Sequence, residues 1–166
     1  MPDESAAAPV RVQPAQIGDL EAIAQLRLDL LGEERDNPLF ARPHPDARRR
    51  ALRLTRAQLA TPGQVFLVAR RGPVVVGVLR CRAVRRTPLV SDARQAVVTT
   101  AYVVPAERRK GVLRALVVAA DRWCRKNRLA GMRLQCSLHN AGGRKAWESL
   151  GFTAAELLYV RPVPGG

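Results

Sequence analysis

The stretch that most constrains the fold is residues 103–116, where an apolar strand runs into a basic loop and then a helix. A β-branched run over 96–104 is stopped by Pro105, and the loop contains three successive cations and one glycine. Beyond it, apolar residues recur at helical spacing, at Leu113, Leu116, Val117, Ala120 and Trp123. Because the first amides of a helix lack partners and its dipole favours negative charge, this arrangement predicts a phosphate site.

Hydrophobic patterning predicts the elements before this stretch. Two apolar runs separated by a tight turn at 70–73 indicate a β-hairpin, and Gly77 inside the second run is typical of a bulge. The acidic, proline-containing stretch 32–44 predicts a loop. The predicted elements are a strand at 10–13, helices at 19–31 and 48–60, and hairpin strands at 64–69 and 74–84.

The pattern after the loop predicts alternating helices and strands. The helix that follows the loop extends to about 128, a strand covers 132–138, a helix covers 141–150, and a last strand covers 152–163. The order β-α-α-β-β-β-α-β-α-β predicts a single-domain mixed α/β fold, with a mostly antiparallel central sheet and helices on both faces. We expect this domain to span 10–163, after a disordered tail at 1–9.

Two motifs in this order resemble those of the GNAT superfamily of acyl-CoA-dependent N-acetyltransferases. The first is Val103-x-Pro105-x-x-Arg108-x-x-Gly111-x-Leu113-x-x-Leu116, which resembles the family's pyrophosphate loop, Arg/Gln-x-x-Gly-x-Gly/Ala. The second is Asn140-x-x-Gly143-x-x-x-Trp147-x-x-x-Gly151-Phe152, which resembles the family's Asn-x-x-Ala-x-x-x-Tyr-x-x-x-Gly-Phe. The element order agrees with the family over roughly 10–163.

The resemblance implies acetyl-CoA as co-substrate. Successive amides from 109 to 113 would hold the pyrophosphate, Gly111 would let the backbone approach it, and the adjacent cations would add charge at the rim. The strand before the loop would pair with the pantetheine, and Asn140 would contact it, although Asn140 is equally a good helix N-cap. The implied cofactor-binding residues are Ala101, Tyr102, Val103, Arg108, Arg109, Lys110, Gly111, Val112, Leu113 and Asn140.

Three positions depart from the family pattern. Leu113 stands where glycine or alanine is usual, so its side chain should point away from the phosphates. Trp147 replaces the tyrosine that protonates the leaving thiolate, and its indole N–H cannot transfer a proton. Thr99 and Thr100 stand where many relatives carry an acidic base. The catalytic residues therefore stay unassigned; the candidates for the acid are Tyr102, Ser137 and Tyr159, and His139 is expected to be a loop or capping residue.

Three functions follow as hypotheses. The first is an N-acetyltransferase that moves acetyl from acetyl-CoA to a primary amine, in a small molecule or peptide, by direct attack on the thioester. Its acceptor would lie under the first helices and the 32–44 loop, whose acids Glu33, Glu34 and Asp36 either attract the amine or are simply solvated. The second is a non-catalytic acyl-CoA-binding regulatory module. The third, resting on charge alone, is a basic RNA-associated protein.

Composition limits the remaining options. The net charge of +14 favours anionic partners, but the basic residues are spread along the chain and only 4% of residues are aromatic, so a nucleic-acid partner is disfavoured. No apolar run approaches the roughly 20 residues of a membrane helix. Without a secretory signal we expect a cytoplasmic protein with reduced, buried Cys81, Cys124 and Cys136 and no metal site. The short end after Phe152 permits a homodimer, because a partner chain could complete that edge.

Overall fold

A five-stranded sheet forms the centre of the computed structural model, which describes residues 8–164. The strands lie side by side in chain order: β1 (Val10–Pro14), β2 (Gln64–Arg71), β3 (Val74–Arg85), β4 (Arg94–Val103) and β5 (Met132–Leu134). Neighbours among β1 to β4 are antiparallel, and β5 is parallel to β4. The predicted mixed, mostly antiparallel sheet is confirmed.

Helices cover both faces of this sheet, as predicted. They are α1 (Leu20–Glu33), α2 (Ala47–Leu59), α3 (Val112–Lys126) and α4 (Ala141–Ser149). On one face, α3 buries Leu116 and Ala120 completely against a cluster that includes Leu79 of β3. On the other face, α1 buries Ile23 against Phe66 and its neighbours. The periodic apolar stripes of α1 and α3 therefore form the two halves of the core.

A bulge separates β4 from β5. Arg80 of β3 pairs with Thr100 while Cys81 pairs with Val98, so Thr99 is an extra residue in β4. β5 accompanies β4 only at Ala96, Val97 and Val98. Beyond Thr99, in the part of the chain that the structure describes, no strand pairs with β4 on that side. The sheet therefore opens into a gap along the second half of β4, next to the loop that predicts a phosphate site.

The predicted last strand over 152–163 is wrong. Residues 152–163 contain no strand, and Tyr159 and Val163 are 85% and 81% exposed. The predicted strand at 132–138 is also shorter and ends at Leu134. Among the described residues, β5 pairs with β4 only as far as Val98. The edge of the sheet is therefore a strand of three residues, which offers residues 152–163 no long neighbour for ladder hydrogen bonds. An apolar sequence alone does not make a strand when no strand lies beside it.

Two further predictions concern the ends and the hairpin. The predicted tail at 1–9 falls mostly outside the described residues; Ala8 and Pro9 fall inside them and belong to no regular element. The hairpin has a register shift between Ala69 and Arg70, which leaves Val76 as the extra residue in β3. The predicted irregularity therefore lies beside Gly77, which itself stays in register with Val103 of β4.

Candidate active site

The loop between β4 and α3 is folded into a concave backbone surface. After a 3₁₀ turn over Pro105–Glu107, Arg108 is extended, and then Arg109 and Gly111 both have positive φ, 61° and 81°. A positive φ is rare for a residue with a side chain, and such outliers gather where a ligand is bound. A left-handed residue next to a right-handed one, here Gly111 before the helical Val112, turns successive amides toward one point, which makes an anion-binding nest.

The amides of this nest have no backbone acceptors among the described residues. The first helical bond of α3 runs from the Ala115 amide to the Gly111 carbonyl at 3.0 Å, which leaves the amides of 109–114 without one. A Cβ built on Gly111 would meet nothing within 4 Å, so the space in front of the loop is open. Val112 is buried, and Leu113 packs against the core cluster and away from that space, as expected. These features fit a diphosphate.

Arg108, predicted as a charge at the rim of this loop, directs its side chain toward the end of α1. Its Nε donates to the Val103 carbonyl at 2.8 Å, and its Nη2 donates to Glu33 at 2.6 Å. Its guanidinium lies 5.2 Å from the centre of the Tyr102 ring. The other two cations of the loop, Arg109 and Lys110, are exposed as well. Arg108 instead connects the loop to the C-terminal end of α1.

The open edge of β4 offers backbone groups to an extended ligand. The Val104 amide donates to the Val76 carbonyl of β3 at 3.0 Å. Because backbone groups alternate sides along a strand, those of Ala101 and Val103 face the gap. Arg108 already occupies the Val103 carbonyl, so the Val103 amide and both groups of Ala101 stay available. Tyr102, also predicted as a cofactor residue, directs its side chain to the α1 face.

Tyr102 and Glu33 form a polar pair at the end of α1. The Tyr102 hydroxyl donates to Glu33 Oε1 at 2.8 Å, the same oxygen that accepts from Arg108. Hydrogen bonds from Arg108 and Tyr102 outweigh the effect of partial burial and hold the pKa of Glu33 below its usual value. Burial and the neighbouring carboxylate raise the pKa of Tyr102 to about 12. Glu33 is therefore an ionised acceptor and Tyr102 a neutral donor at neutral pH.

We expect a spectroscopic consequence of this pair. In a tyrosinate absorbance titration, the difference between the wild-type protein and Tyr102→Phe should have its midpoint near pH 12. An unfolded tyrosine ionises near pH 10. The unfolded chain therefore loses its proton first, and the stability that Tyr102 contributes should fall as pH rises from about 10 to 12. Glu33→Gln should move the midpoint downward; a wild-type midpoint at pH 10 would contradict the pairing.

An acid-lined cleft of about 130 Å³ lies beside this pair. It is bounded by the segment after α1 and by the segment between β5 and α4, and its lining residues are Glu33, Glu34, Asp36, Asn37, Ser137, His139 and Asn140. The Asn140 side chain accepts from the Gly143 amide at 2.8 Å, so it caps α4 at the edge of the cleft. Of the two roles left open for Asn140, capping is the one with a contact in the structure.

The remaining candidates for proton transfer lie in different places. Trp147 makes an edge-to-face contact with Phe152, with centroids 5.3 Å apart, and packs on the core. Thr99 accepts a hydrogen bond from Arg80. Tyr159 is exposed on the irregular end, whereas Ser137 and His139 line the cleft. Within residues 8–164, no group of three or more His, Cys, Asp or Glu could hold a metal ion.

Sequence reasoning missed Arg80 and Arg27, two arginines on the α1 face of the sheet. Arg80 is only 8% exposed and lies within the buried run 76–81 of β3, whereas the other arginines of that strand, Arg82 and Arg85, are exposed. A charged residue inside such a run is a signal, because charged side chains are rarely buried without partners. The same signal does not point to Arg27. It is a partly exposed residue of α1, where an arginine is ordinary.

Comparison with known proteins identifies the class. The model of the acetyltransferase (GNAT) family matches residues 28–152, more than half of the chain. The chain belongs to this family, which confirms the resemblance of its two motifs. No curated protein matches the sequence significantly. In the described residues, no helix is both long enough and apolar enough to cross a membrane.

Solved structures of low sequence identity share the fold. The aminoglycoside acetyltransferase AAC(6')-Iy, in complex with a bisubstrate analogue of CoA and acetylneamine, has a TM-score of 0.76 at 20% identity, over 94% of this chain and 99% of that chain. A predicted acetyltransferase from Clostridium acetobutylicum, solved with acetyl-CoA, has a TM-score of 0.75 at 17% identity, over 92% of this chain and 96% of that chain. The aminoglycoside 6'-N-acetyltransferase AAC(6')-IG from Acinetobacter haemolyticus has a TM-score of 0.73 at 19% identity, over 92% of this chain and 97% of that chain.

Proposed function

We propose that this protein transfers an acetyl group from acetyl-CoA to the nitrogen of a primary amine. The observation that supports this most strongly is that the amide nest at 109–113, the open edge of β4 and the acid-lined cleft lie next to one another. Arg108 joins the nest to the cleft, because it begins in the loop and contacts Glu33 in the cleft. Family membership and the CoA and acetyl-CoA present in structures of the same fold support the same function.

The donor side is built mostly from backbone. The nest amides, with exposed Arg109 and Lys110, would hold the diphosphate. The backbone of Ala101 and the Val103 amide would hydrogen-bond an extended pantetheine arm, as an added strand would. When bound, acetyl-CoA supplies the acetyl group as a thioester. The residues of the chain fix its position along β4.

The acceptor side attracts a cation. Glu33, Glu34 and Asp36 gather negative charge at the cleft, which draws an ammonium group from solution. In the reaction the bound ammonium first loses a proton to solvent and becomes the nucleophilic amine. The nitrogen–carbon bond then forms, the carbon–sulfur bond breaks with departure of the CoA thiolate, and the nitrogen loses its second proton to solvent. A thiol pKa near 8.5 makes the thiolate an acceptable leaving group without a protein acid. Positioning of the two substrates is then the main contribution of the protein.

A second candidate function is a non-catalytic acyl-CoA-binding module. Trp147 packs on Phe152, and Thr99 is engaged with Arg80, so neither position supplies the acid or base usual in the family. An RNA-associated role has less support, because several arginines are paired with acids, including Arg48 with Glu21 and Arg71 with Glu107. Cytoplasmic location and a homodimer stay predictions.

Two measurements test the proposal. At acetyl-CoA concentrations of about 100 times Kd, the free energy of unfolding should rise by about 2.7 kcal/mol. Acetyl-pantetheine, which lacks the diphosphate, should give a much smaller shift because it leaves the nest empty. Thiol release should then accelerate with at least one amine from a panel of amino acids, short peptides, polyamines and aminoglycosides.

The outcomes separate the candidates. No shift at millimolar acetyl-CoA would overturn both functions that bind CoA. A shift that depends on the diphosphate, together with background thiol release for every amine, would support the module. Retention of RNA that declines steeply with salt, without any acetyl-CoA shift, would support the RNA-associated role.

A further inference from the structure

Arg80 is a buried cation whose hydrogen-bond partners are all neutral. Its Nε donates to Gln64 Oε1 and its Nη1 donates to Thr99 Oγ1, each at 2.9 Å. Its second Nη also contacts the Gln64 oxygen. The residue is 8% exposed, yet among the described residues it forms no ion pair with a carboxylate. A buried charge is normally accompanied by a counter-charge, and residues 8–164 supply none to Arg80.

A second arginine lies close by in the same condition. Arg27 of α1 donates from Nη1 to Thr55 at 2.8 Å and to Gln58 at 2.9 Å, both neutral acceptors on α2. The guanidinium carbons of Arg80 and Arg27 lie 5.5 Å and 5.9 Å from the centre of the Phe66 ring. No ion pair involves Arg27 in residues 8–164. Both guanidinium groups therefore lie near the same Phe66 ring, and neither pairs with a carboxylate of the described residues.

This arrangement is electrostatically unfavourable in the free protein. Burial, and then the positive charges of Arg27 and Arg82, lower the pKa of Arg80 to about 10. Burial also lowers the pKa of Arg27. A bound anion would reverse both effects, because an opposite charge nearby favours the ionised form. Arg27 is partly exposed, so the pair is not sealed from solvent.

The arginine pair lies on the acceptor side of the site. Arg80 hydrogen-bonds Thr99, the bulge residue at which β4 separates from β5. Arg27 and Glu33 are six residues apart on α1, about 9 Å along the helix axis. Six residues turn a helix to positions about 120° apart, so Glu33 points to Tyr102 of β4 while Arg27 points to α2. A molecule that contacts both the acids and the arginines would therefore span roughly 9 Å along α1 and would cross its surface obliquely.

We propose that the acceptor carries an oxyanion, a carboxylate or a phosphate, in addition to its amine, and that Arg80 and Arg27 bind this group. The proposal rests on the proposed function, whose acceptor cleft supplies the amine end. A separation of about 9 Å corresponds to nearly three residues of extended peptide, at 3.3–3.6 Å each. The acceptor class is therefore a short peptide or an ω-amino acid with a distal anion, and a purely cationic polyamine should be a poor acceptor.

The test compares acceptors that differ only in this charge. Thiol release is measured with 6-aminohexanoate, its carboxamide, 6-aminohexyl phosphate and hexylamine. Because the carboxamide and hexylamine carry no negative charge at this end, they cannot form an ion pair with the arginines, and their kcat/KM should be lower by about tenfold to hundredfold. A preference for the phosphate over the carboxylate, or the reverse, identifies which oxyanion is bound. Equal rates for all four compounds would overturn the proposal.

A variant pair tests the assigned residue. Arg80→Gln should abolish the preference for the charged acceptor, whereas Arg85→Gln, an exposed arginine at the end of the same strand, should retain it. Arg80→Lys keeps the charge and should restore part of the preference, which a merely structural role would not. Binding is also measured without turnover, as the increase in Tm that 6-aminohexanoate gives with CoA present. The carboxamide should give a smaller increase.

The result distinguishes this proposal from the proposed function. Arg80→Gln should leave the Tm increase with acetyl-CoA unchanged, because the nest at 109–113 is elsewhere. If acetyl-CoA stabilises the protein and neither turnover nor Tm distinguishes the acid from its amide, the oxyanion site is overturned and acetyl-CoA binding stands. If acetyl-CoA gives no stabilisation, the proposed function fails first. If the Arg80→Gln variant still prefers the charged acceptor over its carboxamide, residues other than Arg80 bind the anion, and the assignment to Arg80 is wrong.

Discussion

Gly111→Asp should weaken acetyl-CoA binding by about tenfold to hundredfold while leaving the protein folded. The new carboxylate would stand at the N-terminus of α3, in the nest whose amides face the open space. Repulsion between unit charges about 5 Å apart is about 1 to 3 kcal/mol at the dielectric constants near a protein surface. Each 1.4 kcal/mol is a factor of ten in Kd. The expected loss follows from charge alone.

Gly111→Asn is the matched control for this prediction. Asparagine and aspartate have nearly the same shape, and both tolerate a left-handed conformation better than other residues with side chains. Both variants therefore bear a similar strain from the φ of 81°, and only one adds charge. Aspartate also suits a helix N-terminus, so it should be at least as stable as asparagine without ligand. Equal Kd values for the two variants, by calorimetry, would show that no phosphate lies at this loop.

The donor side could be predicted because it is local in sequence. A strand, a proline stop, one glycine and a helical repeat lie within 103–116, and each reflects a short-range effect. The fold confirms the strand, the helix and the turn between them. The Arg108 side chain could not be predicted, because its partner Glu33 is 75 residues away and depends on how α1 packs on the sheet.

The acceptor side is built from distant segments, and this limits what the sequence can predict. Glu33 and Tyr102 are 69 residues apart, and the cleft joins the segments at 33–37 and 137–140. Arg27 and Arg80 meet only because α1 crosses the sheet above Phe66. The wrong strand over 152–163 has a similar origin: its apolar pattern is local, but a strand also requires a neighbour, and the edge strand β5 is only three residues long.

Gly77→Val should destabilise the protein by about 2 to 3 kcal/mol and should also weaken acetyl-CoA binding. A Cβ at Gly77 would lie 3.2 Å from the Tyr102 carbonyl oxygen and 3.2 Å from Val112 Cγ1, and Leu116 Cδ1 is almost as close. Extra carbon in a close-packed core typically costs about 1 to 3 kcal/mol. Val112 is the first residue of α3, so relief by movement of that helix would displace the phosphate loop.

A graded series makes this prediction decisive. Glycine in a strand is ordinarily worse than alanine by about 0.5 to 1 kcal/mol, so in open space Gly77→Ala should stabilise. The close neighbours predict the opposite sign, with a small loss of stability for alanine and a larger loss for valine, measured by urea unfolding. Gly131→Ala, where a Cβ meets nothing within 4 Å, is the control and should stabilise the protein by about 0.4 to 1 kcal/mol without changing Kd. If the Gly77 variants lose stability but keep the Kd of the wild type, the sheet, and not α3, moves to accommodate the side chain. If they gain stability, α3 does not pack on β3 at this point.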